Sequence, residues 1–129
     1  MSNDQEKKRI LIVEDDALLL DSLAEAFTGA GFLVLKAKDG EEGFQQTVDN
    51  QPDLILVDIL MPKMDGMTML KNLHNKEPDK KIPTIILTNL NDSETVSKAL
   101  ATGAYDYLVK SDWEPKSLVQ MVKEKLNIA

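Results

Sequence analysis

The sequence of 129 residues contains no cysteine, which excludes disulfide bonds, thiol catalysis and metal sites built from thiolates. It also has no long apolar run, because the longest, such as Ile10–Val13 and Leu54–Val57, are far too short to span a bilayer. Residues 1–9 are polar and charged, unlike the apolar segment of a signal peptide. These absences predict a cytoplasmic protein without a membrane anchor.

Positive charge is in deficit, since 15 Lys and Arg against 22 Asp and Glu give a formal net charge of −7. Such a chain lacks the basic surface with which proteins neutralise nucleic-acid phosphates. The densest basic cluster, at residues 7–9, is interpreted as a solvated chain end. We therefore expect no direct contact with nucleic acid.

The length suits one domain. We assign residues 1–7 to a solvated leader and 8–128 to the domain, and expect no output domain in this chain.

Apolar segments of strand length alternate with longer segments of helical period. Strands are predicted at residues 8–13, 32–37, 53–57, 84–87 and 104–109. Helices are predicted at residues 17–28, 39–50 (with Asp39 as the cap), 66–75, 91–103 and 115–126. Five strand–helix units with right-handed crossovers predict a parallel sheet that carries helices on both faces.

Local signals support these boundaries. Gly29 and Gly31 are expected to end the first helix. Asp39 and Glu42 have the spacing of a capping box, and Pro115 suits the first turn of the last helix. The first helix has one apolar face, at the spacing i, i+3, i+4 and i+7, which is formed by Leu20, Leu23, Ala24 and Phe27.

Polar residues follow four of the predicted strands. In parallel sheets ligands bind beyond the carboxyl ends of the strands, so we expect these side chains to converge. Capping of the next helix explains Asp16 and Asp39. It does not explain Asp58, which lies between apolar residues, where a carboxylate is costly unless it is paired with a cation or a metal. The strand-end residues are Glu14, Asp15, Asp16, Asp58, Thr88 and Lys110.

These groups suit phosphoryl transfer. A carboxylate such as that of Asp58 is a competent nucleophile that forms an acyl phosphate. Glu14, Asp15 and Asp58 offer the oxygen ligands that Mg²⁺ prefers; Ca²⁺ is the alternative ion, although no EF-hand spacing is present. Thr88 and Lys110 can contact phosphate oxygens, which need positioning and charge neutralisation.

Four segments, in order across nearly the whole chain, resemble the receiver domains of bacterial two-component response regulators. They are Ile10–Asp16, Asp58–Gly66, Ile86–Thr88 and Gly103–Lys110. The resemblance implies an α/β, doubly wound (βα)5, flavodoxin-like fold. Its five-stranded parallel sheet has the order 2-1-3-4-5, with helices on both faces.

The resemblance also implies roles for single residues around the metal. Asp58 is the phosphoacceptor, and Asp15 is a direct Mg²⁺ ligand. Glu14 is the second acid of the pair and acts through water. Asp58 and the backbone carbonyl of Leu60 complete the metal's protein ligands. The loop that shapes the site contains Met61, Pro62 and Gly66.

For the phosphoryl group, the resemblance implies that Thr88 and Lys110 hold its oxygens and that Thr88 and Tyr107 form the switch. The donor is a sensor histidine kinase or a histidine phosphotransfer protein. The chain catalyses its own phosphorylation and slow dephosphorylation without being a turnover enzyme. A downstream effector or a second copy binds the surface of helix 4, strand 5 and helix 5, at residues 91–103, 104–109 and 115–126.

The chain departs from the common pattern at several positions. Ser111 follows Lys110 where proline is usual, often after a cis peptide, and a cis bond before a residue other than proline costs about 2.5–4 kcal/mol. The geometry of that peptide is therefore left open, as is the effect of Asn89 on the approach of phosphate. Leu60 and Leu90 offer water no polar help, which predicts slow self-dephosphorylation.

Three alternative functions differ in the residues that they require. A phosphohydrolase with an aspartyl phosphate would need a second acid where Leu60 stands. A flavodoxin-like electron carrier would need a loop rich in glycine and hydroxyl groups where Glu14, Asp15 and Asp16 stand. A receiver-like module that binds partners without phosphorylation stays open, because every site residue could persist in it as scaffold.

Three other features have simple structural interpretations. Trp113 either docks a partner or packs at the base of the last helix. His74, the single histidine, is interpreted as a solvated residue rather than a phosphate relay. The methionine cluster is interpreted as packing, and it consists of Met61, Met64, Met67 and Met69.

Overall fold

The structure, a computed structural model, describes residues 7–58, 64–79, 82–88, 106–109 and 114–127, and for residues 88 and 106–109 it describes the backbone. The strands are β1 (Arg9–Val13), β2 (Leu33–Ala37), β3 (Leu54–Asp58), β4 (Thr84–Thr88) and β5 (Asp106–Val109). The helices are α1 (Ala17–Gly29), α2 (Gly40–Asn50), α3 (Gly66–Lys76) and the closing helix (Pro115–Lys125). The predicted helix at residues 91–103 lies outside the described residues.

The strands form one parallel sheet in the order β2-β1-β3-β4-β5. Parallel neighbours cannot be joined by a tight turn, so each needs a crossover of the kind that a helix supplies. Strand β1 lies between β2 and β3, and the strand order reverses there. The predicted parallel α/β fold is therefore confirmed, and the reversal marks where a ligand site is expected.

The sheet is buried on both faces because successive side chains of a strand point to opposite sides. Against α1 and the closing helix it presents one set: Ile10, Ile12, Leu54, Leu56, Ile85 and Leu87. Against α2 and α3 it presents the other: Leu11, Val13, Ile55, Val57 and Ile86. Full burial of each such side chain contributes about 1.5–3 kcal/mol. Because both faces of the sheet are buried in these two layers, the strands are continuous apolar runs in the sequence.

The apolar face predicted for α1 is buried in the first of these layers, with Leu20, Leu23, Ala24 and Phe27 all buried. The Phe27 ring also meets the Phe32 ring edge to face, with centroids 5.4 Å apart. The i, i+3, i+4 spacing therefore identified the face that packs on the sheet.

The predicted caps are present. Asp16 precedes α1, and its carboxylate accepts hydrogen bonds from the backbone N–H groups of Leu18 and Leu19. Asp39 precedes α2 and accepts from the Glu42 N–H at 2.8 Å. The Glu42 carboxylate reaches back to the N–H of Lys38, at 3.2 Å, one residue before the cap. Pro115 begins the closing helix, as expected of a residue without an N–H to donate.

The helix α1 extends one residue beyond its predicted end at residue 28, and one of the two glycines expected to end it turns the chain. Gly29 is the last residue of the helix, and the chain turns at Gly31, whose φ of 97° lies in the left-handed region that favours glycine. The Phe32 N–H then bonds to the Phe27 carbonyl at 3.1 Å, which closes the turn.

The packing interpretation of the methionines holds for the three that the structure describes. Met69 is fully buried, and Met64 and Met67 are half-buried against the layer under α2 and α3. His74 is exposed near the end of α3, as a solvated residue should be. Trp113 lies outside the described residues. Among those that are described, no helix has the length and apolar character needed to cross a membrane.

Candidate metal centre

Three carboxylates meet at the carboxyl edge of the sheet, beside the reversal of strand order. Ligand oxygens of Glu14, Asp15 and Asp58 all lie within 4.8 Å of one another. Glu14 is 0% exposed and Asp58 is 5% exposed, whereas Asp15 faces solvent. The structure thus brings together the three acids that the sequence assigned to two strand ends, and one side of the cluster, at Asp15, is open to solvent.

Strand register explains why these acids meet. Val13 of β1 pairs with Val57 of β3, so the next residues, Glu14 and Asp58, reach the edge at the same level. The Glu14 N–H extends the pairing with β2 by donating to the Ala37 carbonyl at 3.0 Å.

The chain turns sharply after β1, and its own backbone helps to orient the buried acid. The Asp16 N–H donates to Glu14 Oε2 at 3.0 Å. Asp16 itself faces solvent and caps α1, so its carboxylate serves the helix rather than the cluster. In this turn Glu14 therefore belongs to the acidic cluster, while Asp16 caps the helix.

The electrostatics of the cluster favour a divalent cation. Burial removes much of the hydration of Glu14 and Asp58, and like charges this close repel one another. A cation with oxygen ligands offsets both effects. The donor set consists of carboxylate oxygens, which are hard ligands of the kind that Mg²⁺ takes, and the exposed side at Asp15 leaves room for the waters that Mg²⁺ retains. The residues present therefore fit a Mg²⁺ site.

The backbone places two further predicted residues in the sheet. Thr88 is the last residue of β4 and pairs with Val109, the residue before Lys110. Asp58 pairs with Leu87, which precedes Thr88, so position 88 lies at the same edge as the acids. Tyr107 occupies β5 opposite Ile86.

Other predicted positions divide into two groups. Gly66, which the resemblance assigned to the site-shaping loop, is the buried first residue of α3. The remaining positions lie outside the described residues: Leu60, Met61, Pro62, Asn89, Leu90, Lys110 and Ser111.

One set of contacts beside the site was missed at the sequence level. The Gly40 N–H donates to the Met64 carbonyl at 2.9 Å and so ties the start of α2 to the segment before α3. A signal was available, because Gly40 and Gly43 both stand in the first turns of a helix, where glycine is unfavourable unless close packing requires it.

The sheet is parallel and doubly wound, and an acidic cluster lies at its carboxyl edge, where the strand order reverses (the switch point). These features define an α/β protein with a candidate metal centre at that edge. Residues 10–123 match the family described as the response regulator receiver domain. The chain belongs to this family and is a two-component response-regulator receiver domain.

The chain is similar to longer regulators and to solved receiver domains. It is 38% identical over 102 residues to the DNA-binding dual master transcriptional regulator RpaA of Synechocystis sp., a match that covers 79% of this chain and 42% of that protein. It is 34% identical over 123 residues to the DNA-binding response regulator MtrA of Mycobacterium tuberculosis, which covers 95% and 52%. The chain therefore spans about half the length of these curated relatives.

Among solved structures, a response regulator receiver domain protein (CheY-like) from Methanospirillum hungatei superposes with a TM-score of 0.86. It is 33% identical in sequence, and the match covers 95% of both chains. The likeness therefore extends over nearly the whole of the chain.

Proposed function

We propose that this chain is a phosphoacceptor switch in which Asp58 takes up a phosphoryl group in a Mg²⁺-dependent reaction. The observation that carries the proposal is the placement of the buried Asp58 within 4.8 Å of Glu14 and Asp15 at the switch point of the sheet. Membership in the receiver-domain family supports it.

The donor is a histidine kinase or a histidine phosphotransfer protein that carries a phosphorylated histidine. A carboxylate oxygen of Asp58 attacks the phosphorus, and a P–O bond forms as the P–N bond to the imidazole breaks. The imidazole nitrogen leaves with the bonding electron pair. The product is an acyl phosphate on Asp58, the class of intermediate that carboxylate nucleophiles form.

Each site residue has a part in this transfer. Glu14, Asp15, Asp58 and the backbone carbonyl of Leu60 hold Mg²⁺, which when bound neutralises charge on the phosphoryl oxygens. Thr88 donates a hydrogen bond to one of these oxygens, and Lys110 pairs with another. The register of β4 supports the assignment of Thr88, since Asp58 pairs with Leu87 and position 88 therefore lies at the edge that carries the acids.

The output is a change of surface. Phosphorylation draws Thr88 toward the phosphate, and Tyr107 fills the space that Thr88 leaves. The surface formed by residues 91–103, β5 and the closing helix then binds a downstream effector or a second copy. This is a local change of charge that biases an element with two states. With a net charge of −7, we propose no direct contact of this chain with nucleic acid.

Intact-mass measurement after incubation with a small phosphodonor and Mg²⁺ tests the proposal. Wild type should gain the mass of one phosphoryl group, and neither Asp58→Asn nor wild type in chelator should gain it. Asp53→Asn is the matched control, because Asp53 stands at the opposite end of β3, where its carboxylate accepts the Arg9 N–H at 2.8 Å. That variant should be phosphorylated like wild type. No gain on the wild type would contradict the proposal and favour a receiver-like module that binds partners without phosphorylation.

A further inference from the structure

The turn that joins β2 to α2, residues 37–40, contacts both chain segments that carry the acidic cluster. We call it the β2–α2 turn. At its start the Ala37 carbonyl accepts the Glu14 N–H at 3.0 Å, and at its end the Gly40 N–H donates to the Met64 carbonyl at 2.9 Å. Met64 closes the five-residue connection, 59–63, that follows Asp58. The turn therefore links the segment after β1 to the segment after β3.

Glycine is needed at position 40 because the backbone of the segment before α3 lies too close for a side chain, and not because the φ angle there is positive. It is buried, and its φ is not among the positive values of the described residues. A Cβ added at Gly40 would overlap the Met64 carbonyl oxygen and would lie 2.8 Å from the carbonyl carbon and 3.0 Å from the Asp65 carbonyl oxygen. These are backbone atoms, so a larger residue would have to displace the chain itself.

The β2–α2 turn is itself firmly held. The buried Asp39 carboxylate accepts the Glu42 N–H, and the Glu42 carboxylate accepts the Lys38 N–H. One turn further along α2, a Cβ at Gly43 would lie 2.9 Å from Cγ2 of Val13, so the helix also lies directly on the end of β1. Movement of Met64 relative to the sheet is therefore resisted by a rigid neighbour.

We propose that Gly40 is a positioning residue for the metal centre. Its N–H and its lack of a side chain keep the β2–α2 turn in place against Met64, and the same turn orients Glu14 through the Ala37 carbonyl, which accepts the Glu14 N–H. This rests on the proposed function, in which Glu14 is one of the residues that hold Mg²⁺. Groups that orient metal ligands change metal affinity by about 10- to 100-fold when they are altered. Gly40→Ala should therefore weaken Mg²⁺ binding about tenfold.

Titration calorimetry with Mg²⁺ on three variants tests this. Val122→Ala is the control for lost stability, because Val122 is fully buried in the layer against α1 and the closing helix, whereas Gly40 begins α2. It should lose stability, as Gly40→Ala does, but keep the wild-type Kd for Mg²⁺. Gly29→Ala, where an added Cβ meets nothing within 4 Å, should lose no stability and should also keep that Kd. Equal weakening of Mg²⁺ binding in Gly40→Ala and Val122→Ala, or none in either, would overturn the proposal.

Amide hydrogen exchange on the wild type provides a test that does not depend on a variant that folds. Coupling between two equilibria is reciprocal. If the hydrogen bond between Gly40 and Met64 raises the affinity for Mg²⁺ by some factor, bound Mg²⁺ must raise the equilibrium constant for forming that hydrogen bond by the same factor. Saturating Mg²⁺ should slow exchange of the Gly40 amide about tenfold more than exchange of the Gly43 amide, which bonds within the helix to Asp39. Equal slowing of the two amides would show global stabilisation alone and would count against Gly40.

The two proposals fail in different ways. A wild type that binds Mg²⁺ but takes up no phosphoryl group contradicts the proposed function, while the calorimetry and the exchange still decide the role of Gly40. A wild type that binds no Mg²⁺ overturns both proposals.

Discussion

At the scale of single residues, the cluster brings two buried carboxylates close together. Glu14 and Asp58 are almost fully buried and belong to one cluster of carboxylate oxygens. Burial and proximity of like charges both disfavour such an arrangement, which is a common property of sites selected for chemistry. Sequence patterning could identify Asp58 because its neighbours are apolar. It could not show the complete burial of Glu14, because that depends on the turn after β1 and on Ala37 of β2.

Replacing Asp58 by Asn should raise stability in the absence of divalent cations. The substitution keeps the shape of the side chain and removes one of the clustered charges. We expect a gain of about 1–3 kcal/mol, the range for repulsion at such distances where the effective dielectric constant is about 20 or higher. Urea denaturation in chelator measures the change.

The control for that prediction is Asp21→Asn. Asp21 forms an exposed ion pair with Lys36 at 3.3 Å, and such surface pairs contribute about 0–1 kcal/mol. This variant should unfold close to wild type or slightly earlier. If Asp58→Asn instead lost about 1–3 kcal/mol of stability, repulsion between the clustered carboxylates would not be the dominant effect.

The lifetime of the phosphorylated state is a second prediction at this scale. Leu60 and Leu90 provide no polar group to guide a water molecule, so the acyl phosphate should decay slowly. Leu60→Asn should shorten the lifetime several-fold, while Leu60→Met should leave it near the wild-type value. Release of inorganic phosphate after removal of the donor measures the decay. A wild type that decays as fast as Leu60→Asn would contradict the prediction.

At the scale of elements, residues 14–16 show how one acidic run serves a strand end and a helix start. Asp15 contributes to the cluster, while Asp16 caps α1. Patterning predicted this division, because Asp is a favoured capping residue at the position directly before a helix. The end of α1 was also predicted from local signals, to within one residue. Two glycines stood close together, and only the φ of Gly31 distinguishes the one that turns the chain.

Substitution of these adjacent acids should separate metal binding from helix stability. Asp16→Ala should destabilise the fold by about 1 kcal/mol through loss of the cap, with the Kd for Mg²⁺ nearly unchanged. Asp15→Asn should weaken Mg²⁺ binding without loss of stability in chelator, because it removes an exposed and well-screened charge of the cluster. Urea denaturation and Mg²⁺ titration on both variants measure the two effects. If both variants lost metal affinity equally, the assignment of the Asp16 carboxylate to the helix would be wrong.

At the scale of the whole molecule, the fold could be predicted because its signals are regular. Continuous apolar strands alternate with amphipathic helices, and parallel strands direct their carboxyl ends to one edge, so acids from β1 and β3 were expected to meet. Gly40 and Gly43 indicate close packing of α2, but the contact of Gly40 with Met64 in particular was not predictable. It joins two different strand–helix units through backbone atoms, and no periodicity reports such a contact.

The same architecture predicts that Mg²⁺ stabilises the folded protein. The acids of the cluster come from the ends of β1 and β3, so the site exists when the sheet is formed and is dispersed when the chain unfolds. A ligand that binds the folded state alone, at about 100 times its Kd, adds about 2.7 kcal/mol to the free energy of unfolding. For a domain of this size, that corresponds to a rise in Tm of about 5–10 °C. Thermal unfolding followed by circular dichroism, with NaCl at matched ionic strength as the control, measures the rise. Asp58→Asn should lose most of it, and an equal rise in NaCl would reveal general screening of the net negative charge instead of a metal site.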